Sequence, residues 1–198
     1  YRNNGTTGED VYAQMLDSLG NVKMTLNGET MCAKTGLQRG GYPIVNKIGG
    51  GIISWWDFTS SNLLHIQSID STGIKQWADT GLIVGRYIEI IKDNRGGGIV
   101  GYGDSVNCID DNGIIRWGTN AALHSGLPSG GEFDMSEDGF SGVVAIWNYS
   151  THLFAQRVDS SGIVLWKTTG VPVCTTMNTN NYQEVIGDGV GGAIVTWY

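Results

Sequence analysis

The stretch Gly191-Gly-Ala-Ile-Val-Thr-Trp197 decides the fold, because versions of it occur four times in the chain. The others are GGGIISW (Gly49 to Trp55), GGGIVGY (Gly96 to Tyr102) and SGVVAIW (Ser141 to Trp147). Their closing aromatics stand at 55, 102, 147 and 197, so the spacings are 47, 45 and 50. Self-similarity at such a period marks a repeat architecture and takes precedence over any local reading.

Two further units follow each of these. VYAQMLDSLG (from Val11), LHIQSIDSTG (from Leu64) and LFAQRVDSSG (from Leu153) are one set, with a shortened VNCIDDNG from Val106. Met24, Trp77, Trp117 or Trp166 comes next, four residues after the Gly. The last set is NGETMC (Asn27 to Cys32), TGLIVG (Thr80 to Gly85) and TGVPVC (Thr169 to Cys174), with a weaker counterpart near Asn120 to Ser125. Each unit alternates apolar and polar residues and is rich in β-branched side chains, which predicts strands. Asp-x-x-Gly between two strands predicts a tight turn, the carboxylate accepting backbone N–H bonds and the Gly taking positive φ. No long stretch carries a helical stripe, so no helix beyond a turn is expected.

Four short strands per repeat, in tandem, predict an all-β chain of four β-propeller blades. One such blade cannot bury both faces alone, so large aromatics are expected to fill the wedge between neighbours. Trp77, Trp117 and Trp166 take this blade-docking role, with Met24 as substitute, and Trp55, Tyr102, Trp147 and Trp197 form a second ring. Counted from Tyr1, the repeats run over 1–57, 58–104, 105–150 and 151–198 of a single propeller domain or segment. The chain's ends fall on either side of one hairpin. Either the N-terminal strands complete the last blade and close a four-bladed ring, or the chain is a segment of a larger propeller. The start at Tyr1, not Met, favours the segment.

Gly191–Trp197, Phe154–Trp166 and Gly170–Cys174 resemble the tandem propeller-type repeats of large secreted and cell-surface bacterial proteins, notably of Bacteroidetes-type bacteria. The resemblance covers nearly the whole chain and is weaker in the third repeat. It implies an extracellular location and a non-catalytic role, and it supplies no catalytic residue. A more distant similarity is to tryptophan-docking propellers, as in Gly73 to Trp77, but the Asp sits one residue too close to the Gly. The Asp-box of sialidase-like propellers and the WD repeat fit less well.

Composition agrees. The chain has 198 residues, 31 Gly, 3 Pro, 16% charged residues and a net charge of −7. An acidic surface disfavours nucleic acid, and no apolar run is long enough to span a bilayer. Cys32, Cys108 and Cys174 form no C-x-x-C pair, and their odd number implies at least one free thiol or an intermolecular partner. Cys32 and Cys174 share one slot, read as a small buried apolar position.

The screen for chemistry leaves catalytic, cofactor and metal roles unassigned. Gly187-x-Gly189-x-x-Gly192 matches a dinucleotide fingerprint but leads into a strand, not the helix that chemistry needs. His65, His124 and His152 occupy unrelated positions, and His65 stands in the slot of Tyr12 and Phe154. Asp17, Asp70, Asp110 and Asp159 recur and so read as turn formers. Gln14, Gln67 and Gln156 recur too and are expected to satisfy backbone groups between blades. Asn4-Gly-Thr6 and Asn148-Tyr-Ser150 match the glycosylation sequon. Candidate ligand contacts lie in the variable loop after the glycine-led strand, Trp56, Asp57, Phe58, Asn148, Tyr149, Tyr1 and Arg2, but Asp57 and Asp104 recur, and shaping the turn is the reading preferred over ligand contact. The expected function is a non-enzymatic scaffold, adhesive or protein-binding module. The alternatives are a carbohydrate-binding, lectin-like propeller and, behind it, a propeller hydrolase or lyase.

Overall fold

A computed structural model describes residues 2–3, 8–32, 34–59, 62–86, 89–102, 104–118, 121–123, 132–176 and 182–198, of which 2–3 by backbone alone. Tyr1, His124, the Asn4 sequon and residues 120, 124 and 125 lie outside the described residues. The described chain is all-β, without a helix. It forms two compact units, Tyr1–Ile90 with Asp111–Gly113, and Ile91–Asp110 with Ile114–Tyr198.

The strands are β1 (Arg2–Asn3), β2 (Gly8–Ala13), β3 (Glu29–Cys32), β4 (Gly36–Val45), β5 (Gly51–Asp57), β6 (Leu63–Ile69), β7 (Leu82–Gly85), β8 (Glu89–Lys92) and β9 (Gly98–Tyr102). They continue with β10 (Ser105–Ile109), β11 (Ala121–Ala122), β12 (Phe133–Glu137), β13 (Val143–Tyr149), β14 (His152–Val158), β15 (Val171–Cys174), β16 (Gln183–Gly187) and β17 (Ala193–Trp197). Strand pairing groups them as successive antiparallel meanders: β4-β5-β6-β7, β8-β9-β10-β11 and β12-β13-β14-β15, with β16-β17 apart. The pairing repeat therefore begins ahead of β4, β8, β12 and β16, and a count from Tyr1 divides each meander between its second and third strands. β2 carries β3 antiparallel and touches β4 in a short parallel pairing, Gly8 to Gly36 and Glu9 to Leu37, which joins the first two sheets. Glycine is required there: a Cβ on Gly8 would sit 1.9 Å from the Gly36 carbonyl oxygen.

The register repeats as closely as the sequence does. Gly51 pairs with Ile69, Gly98 with Ile109 and Val143 with Val158. The third-to-fourth strand pairing breaks register at one equivalent place in three repeats, between Val11 and Tyr12, Leu64 and His65, and Leu153 and Phe154. The residues opposite the first member of each pair are Cys32, Gly85 and Cys174. A bulge leaves less room for a side chain beside it, which accounts for small residues in that slot.

Two families of turns hold the hairpins. In the Asp-x-x-Gly family, Asp17, Asp70, Asp110 and Asp159 each accept the backbone N–H four residues on, at 2.8 to 3.1 Å. The glycines Gly20, Gly73, Gly113 and Gly162 take φ of 82°, 89°, 81° and 84°. The second family lies ahead of each glycine-led strand. Asn46, Asp93, Asp138 and Asp188 stand nine residues before each closing aromatic, and each Oδ1 accepts the N–H groups two and four residues on. That recurrence is legible in sequence but is masked by an Asn in one copy and by the neighbouring acid Glu137 in another.

The core follows from the two-residue period. On β13, Val143, Ala145 and Trp147 face one cluster with Ile99, Val106 and Met135, while Val144 and Ile146 face another with Leu153 and Val185. A strand buried on both faces must be apolar throughout, which accounts for the unbroken run Val143 to Trp147.

Candidate functional site

The recurring aromatics and glutamines settle which positions are free for function. A Cβ on Gly73 would meet Met24 at 2.7 Å, on Gly113 Trp77 at 3.3 Å, and on Gly162 Trp117 at 2.7 Å. Each of these side chains thus lies on the turn glycine of the following repeat, and the Trp117 indole N–H also donates to the Ser160 carbonyl at 3.2 Å. Trp166 packs half-buried beside Val144, Leu153 and Val185. The glutamines act one step earlier. Gln67 donates to the Ala78 carbonyl at 2.7 Å and accepts the Trp77 N–H at 3.1 Å. Gln14 does the same with Thr25 and Met24, and Gln156 with Lys167 and Trp166. The expectation that they bridge blades is therefore corrected: each mainly fixes the backbone of its own repeat's docking residue. Only Gln156 also reaches back, to Leu123 at 3.2 Å.

The second ring splits in two. Trp55 and Trp147 are 1% and 3% exposed, whereas Tyr102 and Trp197 are exposed. Trp55 stacks on its cross-strand neighbour His65 at 5.7 Å, and Trp147 on Phe154 at 5.8 Å. Tyr102 faces Ser105 across the shortened third-repeat hairpin, so no ring stands across the strand from it.

The loop residues singled out from sequence are placed as follows. In the first unit, Asp57 is buried. Its Oδ1 accepts the Thr59 N–H at 2.9 Å, and its Oδ2 lies 3.7 Å from Lys34 Nζ and 3.8 Å from His65 Nε2. Burial raises its pKa, but the Thr59 hydroxyl and N–H, His65 and Lys34 outweigh that and hold it below the usual carboxylate range. His65 is buried too, with Nδ1 3.3 Å from the Thr80 carbonyl oxygen. Burial depresses its pKa despite Thr80 and Asp57, which keeps the ring neutral at pH 7. Trp56 lies half-buried on the opposite face, edge-on to the exposed rings of Tyr42 and Phe58, each 6.4 Å away. Arg39 beside it is held by Glu9.

In the second unit, Asn148 and Tyr149 are half-buried. Asn148 donates its N–H to the Glu132 carbonyl at 3.2 Å, and Tyr149 packs on the Trp147 cluster. Arg2 is described by its backbone in β1, and Tyr1 lies outside the described residues. The sequence reasoning reads Asp138, in the pair Glu137–Asp138, as a turn-capping or solubilising acid but missed that it is fully buried and paired with Arg157 at 2.9 Å. It also missed Tyr42, which reaches Trp56 only through the bulge at Gly40 and Gly41.

Burial pushes the Cys32 thiol up, and burial together with the Asp93 carboxylate pushes Cys108 up to about 12, so neither is a ready nucleophile. His65 stacks beneath Trp55, and Asp57 is bonded by the exposed Thr59. Among the described residues no group of three or more His, Cys, Asp and Glu is placed to hold a metal ion. No helix among them is long and apolar enough to cross a membrane. What the first unit does offer at its surface is the Tyr42, Trp56 and Phe58 aromatic group. Comparison with known proteins adds no family: no family model matches the chain, and neither a curated protein nor a solved structure matches it significantly.

Proposed function

We propose that the chain is a run of four β-propeller blades acting as a non-enzymatic, extracellular scaffold, adhesive or protein-binding module. The carrying observation is that the recurring Asp and Gln residues are used for turns and backbone clamps, and that Met24, Trp77 and Trp117 lie on the turn glycine of the following repeat. The residues with chemical potential, His65, Asp57, Cys32 and Cys108, are buried supports. Low charge and abundant glycine turns suit a secreted β-protein. The test is adhesion of beads coated with the folded protein to a panel of extracellular glycoproteins and matrix proteins. Selective, saturable adhesion supports the reading. Turnover of any substrate in a hydrolase and lyase panel by protein free of contaminating activity overturns it.

One observation favours carbohydrate as the ligand: the adjoining rings of Tyr42, Trp56 and Phe58, of which Tyr42 and Phe58 are open to solvent. Aromatic faces of this kind stack on sugar rings. A glycan array separates the two readings. Hits lost in Phe58→Ala and Tyr42→Ala support the lectin-like reading, and an array without hits from folded protein removes it.

A further inference from the structure

Two turns of neighbouring repeats flank a cleft of about 350 Å³ in the first unit. One is the turn ahead of β5, which supplies Lys47 and Ile48. The other is the turn after β10, which supplies Asp111 and belongs to the same compact unit. Ser68, Gln76 and the docking residue Trp77 lie between them in the lining. A cleft of this size suits one small molecule.

The matching place in the second unit is bridged by its own side chains. Ile48 stands seven residues before its closing aromatic, as Arg95 does before Tyr102. Arg95 donates to the Ser160 hydroxyl at 2.8 Å, and the Trp117 indole N–H donates to the Ser160 carbonyl at 3.2 Å. Ser160 follows its turn Asp, as Asp111 follows Asp110. An isoleucine cannot make the Arg95 bond. In the first unit Lys47 pairs with Asp111 instead, and three polar groups of the cleft are left unpaired among the described residues. Ser68 is 2% exposed, yet its hydroxyl only accepts, from the Asn46 amide at 3.2 Å, and its own proton has no acceptor. The Trp77 indole N–H has none either; only its backbone N–H is bonded, to Gln67. Gln76 donates to Asp70 and Ile74, while its Oε1 accepts nothing.

We propose that this cleft is a seat for one neutral pyranose sugar, free or at the end of a glycan. Its donors on Ser68 and Trp77 and its acceptor on Gln76 match a ligand whose every hydroxyl both donates and accepts. A buried hydroxyl proton without an acceptor is costly, and a sugar oxygen supplies one, whereas an apolar ligand would leave it unpaired. The Lys47–Asp111 pair brings both signs of charge and no net charge. A sugar hydroxyl bonds with either partner, while a carboxylate or ammonium ligand is attracted by one and repelled by the other. The Trp77 indole adds apolar surface for the C–H face of the ring next to its polar N–H. The seat shares no residue with the Tyr42, Trp56 and Phe58 group and stands independently of it.

Saturation-transfer NMR and isothermal titration of the full chain test it, with glucose, galactose, mannose, N-acetylglucosamine, glucuronate and glucosamine as probes. At least one neutral sugar is expected to bind with a Kd on the order of 1 mM, more tightly than the two charged ones. Ile48→Arg copies Arg95 into the cleft at an exposed position, and should weaken binding at least about tenfold without lowering the melting temperature. Gln76→Ala, also at an exposed position, should weaken it about two- to tenfold. Tyr42→Ala and Phe58→Ala should leave it unchanged. Equal binding of the methyl glycoside supports the end of a glycan as the occupant, and loss on methylation supports the free sugar. Folded protein that binds no neutral sugar well above that Kd overturns the proposal, as does tighter binding of glucuronate or glucosamine than of every neutral sugar. Binding that survives Ile48→Arg and is lost in Phe58→Ala also overturns it, while upholding the lectin-like reading of the aromatic group.

Discussion

Two hairpin ends, one in each unit, share a backbone and differ in chemistry. In the first unit, Trp55 faces His65 and Asp57 faces Leu63; in the second, Trp147 faces Phe154 and Tyr149 faces His152. Both indoles are buried, and both stack on the ring across the strand. The first end carries a neutral imidazole, an ionised carboxylate and an ammonium group, whereas the second carries the phenyl of Phe154, the phenol of Tyr149 and the His152 ring stacked on Phe154. A His–Asp pair of this kind suggests catalysis when met alone. Its counterpart in the other unit shows that the slot is a stacking position which tolerates either ring.

The comparison can be broken most directly at the two indoles. Trp55→Ala and Trp147→Ala should each cost about 3–5 kcal/mol, read by urea denaturation. A loss at Trp55 of under about 1 kcal/mol would show that the first end does not depend on the stack. Next come the glycine seats. Gly162→Ala places a methyl 2.7 Å from Trp117 at a positive φ, and should cost about 2–5 kcal/mol, overpacking and strain together. Gly20→Ala has open space, so it should show only the backbone part, about 1–2 kcal/mol. Equal losses at the two glycines would remove the docking contact from the account.

A smaller effect separates the hairpin ends by pH. Because burial depresses the folded pKa of His65, the unfolded chain binds more protons below its ordinary value of 6.5. Stability is therefore greatest above that value and falls as pH drops through it. His65→Phe, which copies Phe154, should flatten this slope between pH 7 and 5 as followed by thermal melting. An unchanged slope would place the acid sensitivity elsewhere. The Asp57 contribution is present above the ordinary value of 3.8 and is lost only at lower pH, so it lies outside this window. The smallest effect is expected at Phe58. Its exposed ring should alter stability by no more than about 0.5 kcal/mol on truncation, whatever happens to ligand binding.

Legibility in the sequence followed repetition. Asp17, Asp70, Asp110 and Asp159 could be assigned to turns because their chemistry is local: a carboxylate reaches N–H groups two to four residues away. The docking residues were legible as a set because the same large side chain returns at one position. What each touches was not, since Trp117 meets Gly162 and Ser160 across more than forty residues. Gln67 was misplaced for a related reason. Recurrence identifies a backbone clamp, but the partner carbonyl at Ala78 depends on how the chain folds back after the turn. The candidate site was half visible. Trp56 and Asp57 stand out as neighbours in the variable loop, yet alternation along β5 sends them to opposite faces, one beside Tyr42 and the other onto His65.

The amino-acid pattern alone dictated an all-β chain of four related units, their strands and their turns, because period-two alternation and Asp-x-x-Gly turns act over a few residues. Only the tertiary structure decided which aromatics are buried and that His65 is a stacking ring. Burial and packing depend on what lies opposite a residue, and that neighbour comes from another repeat.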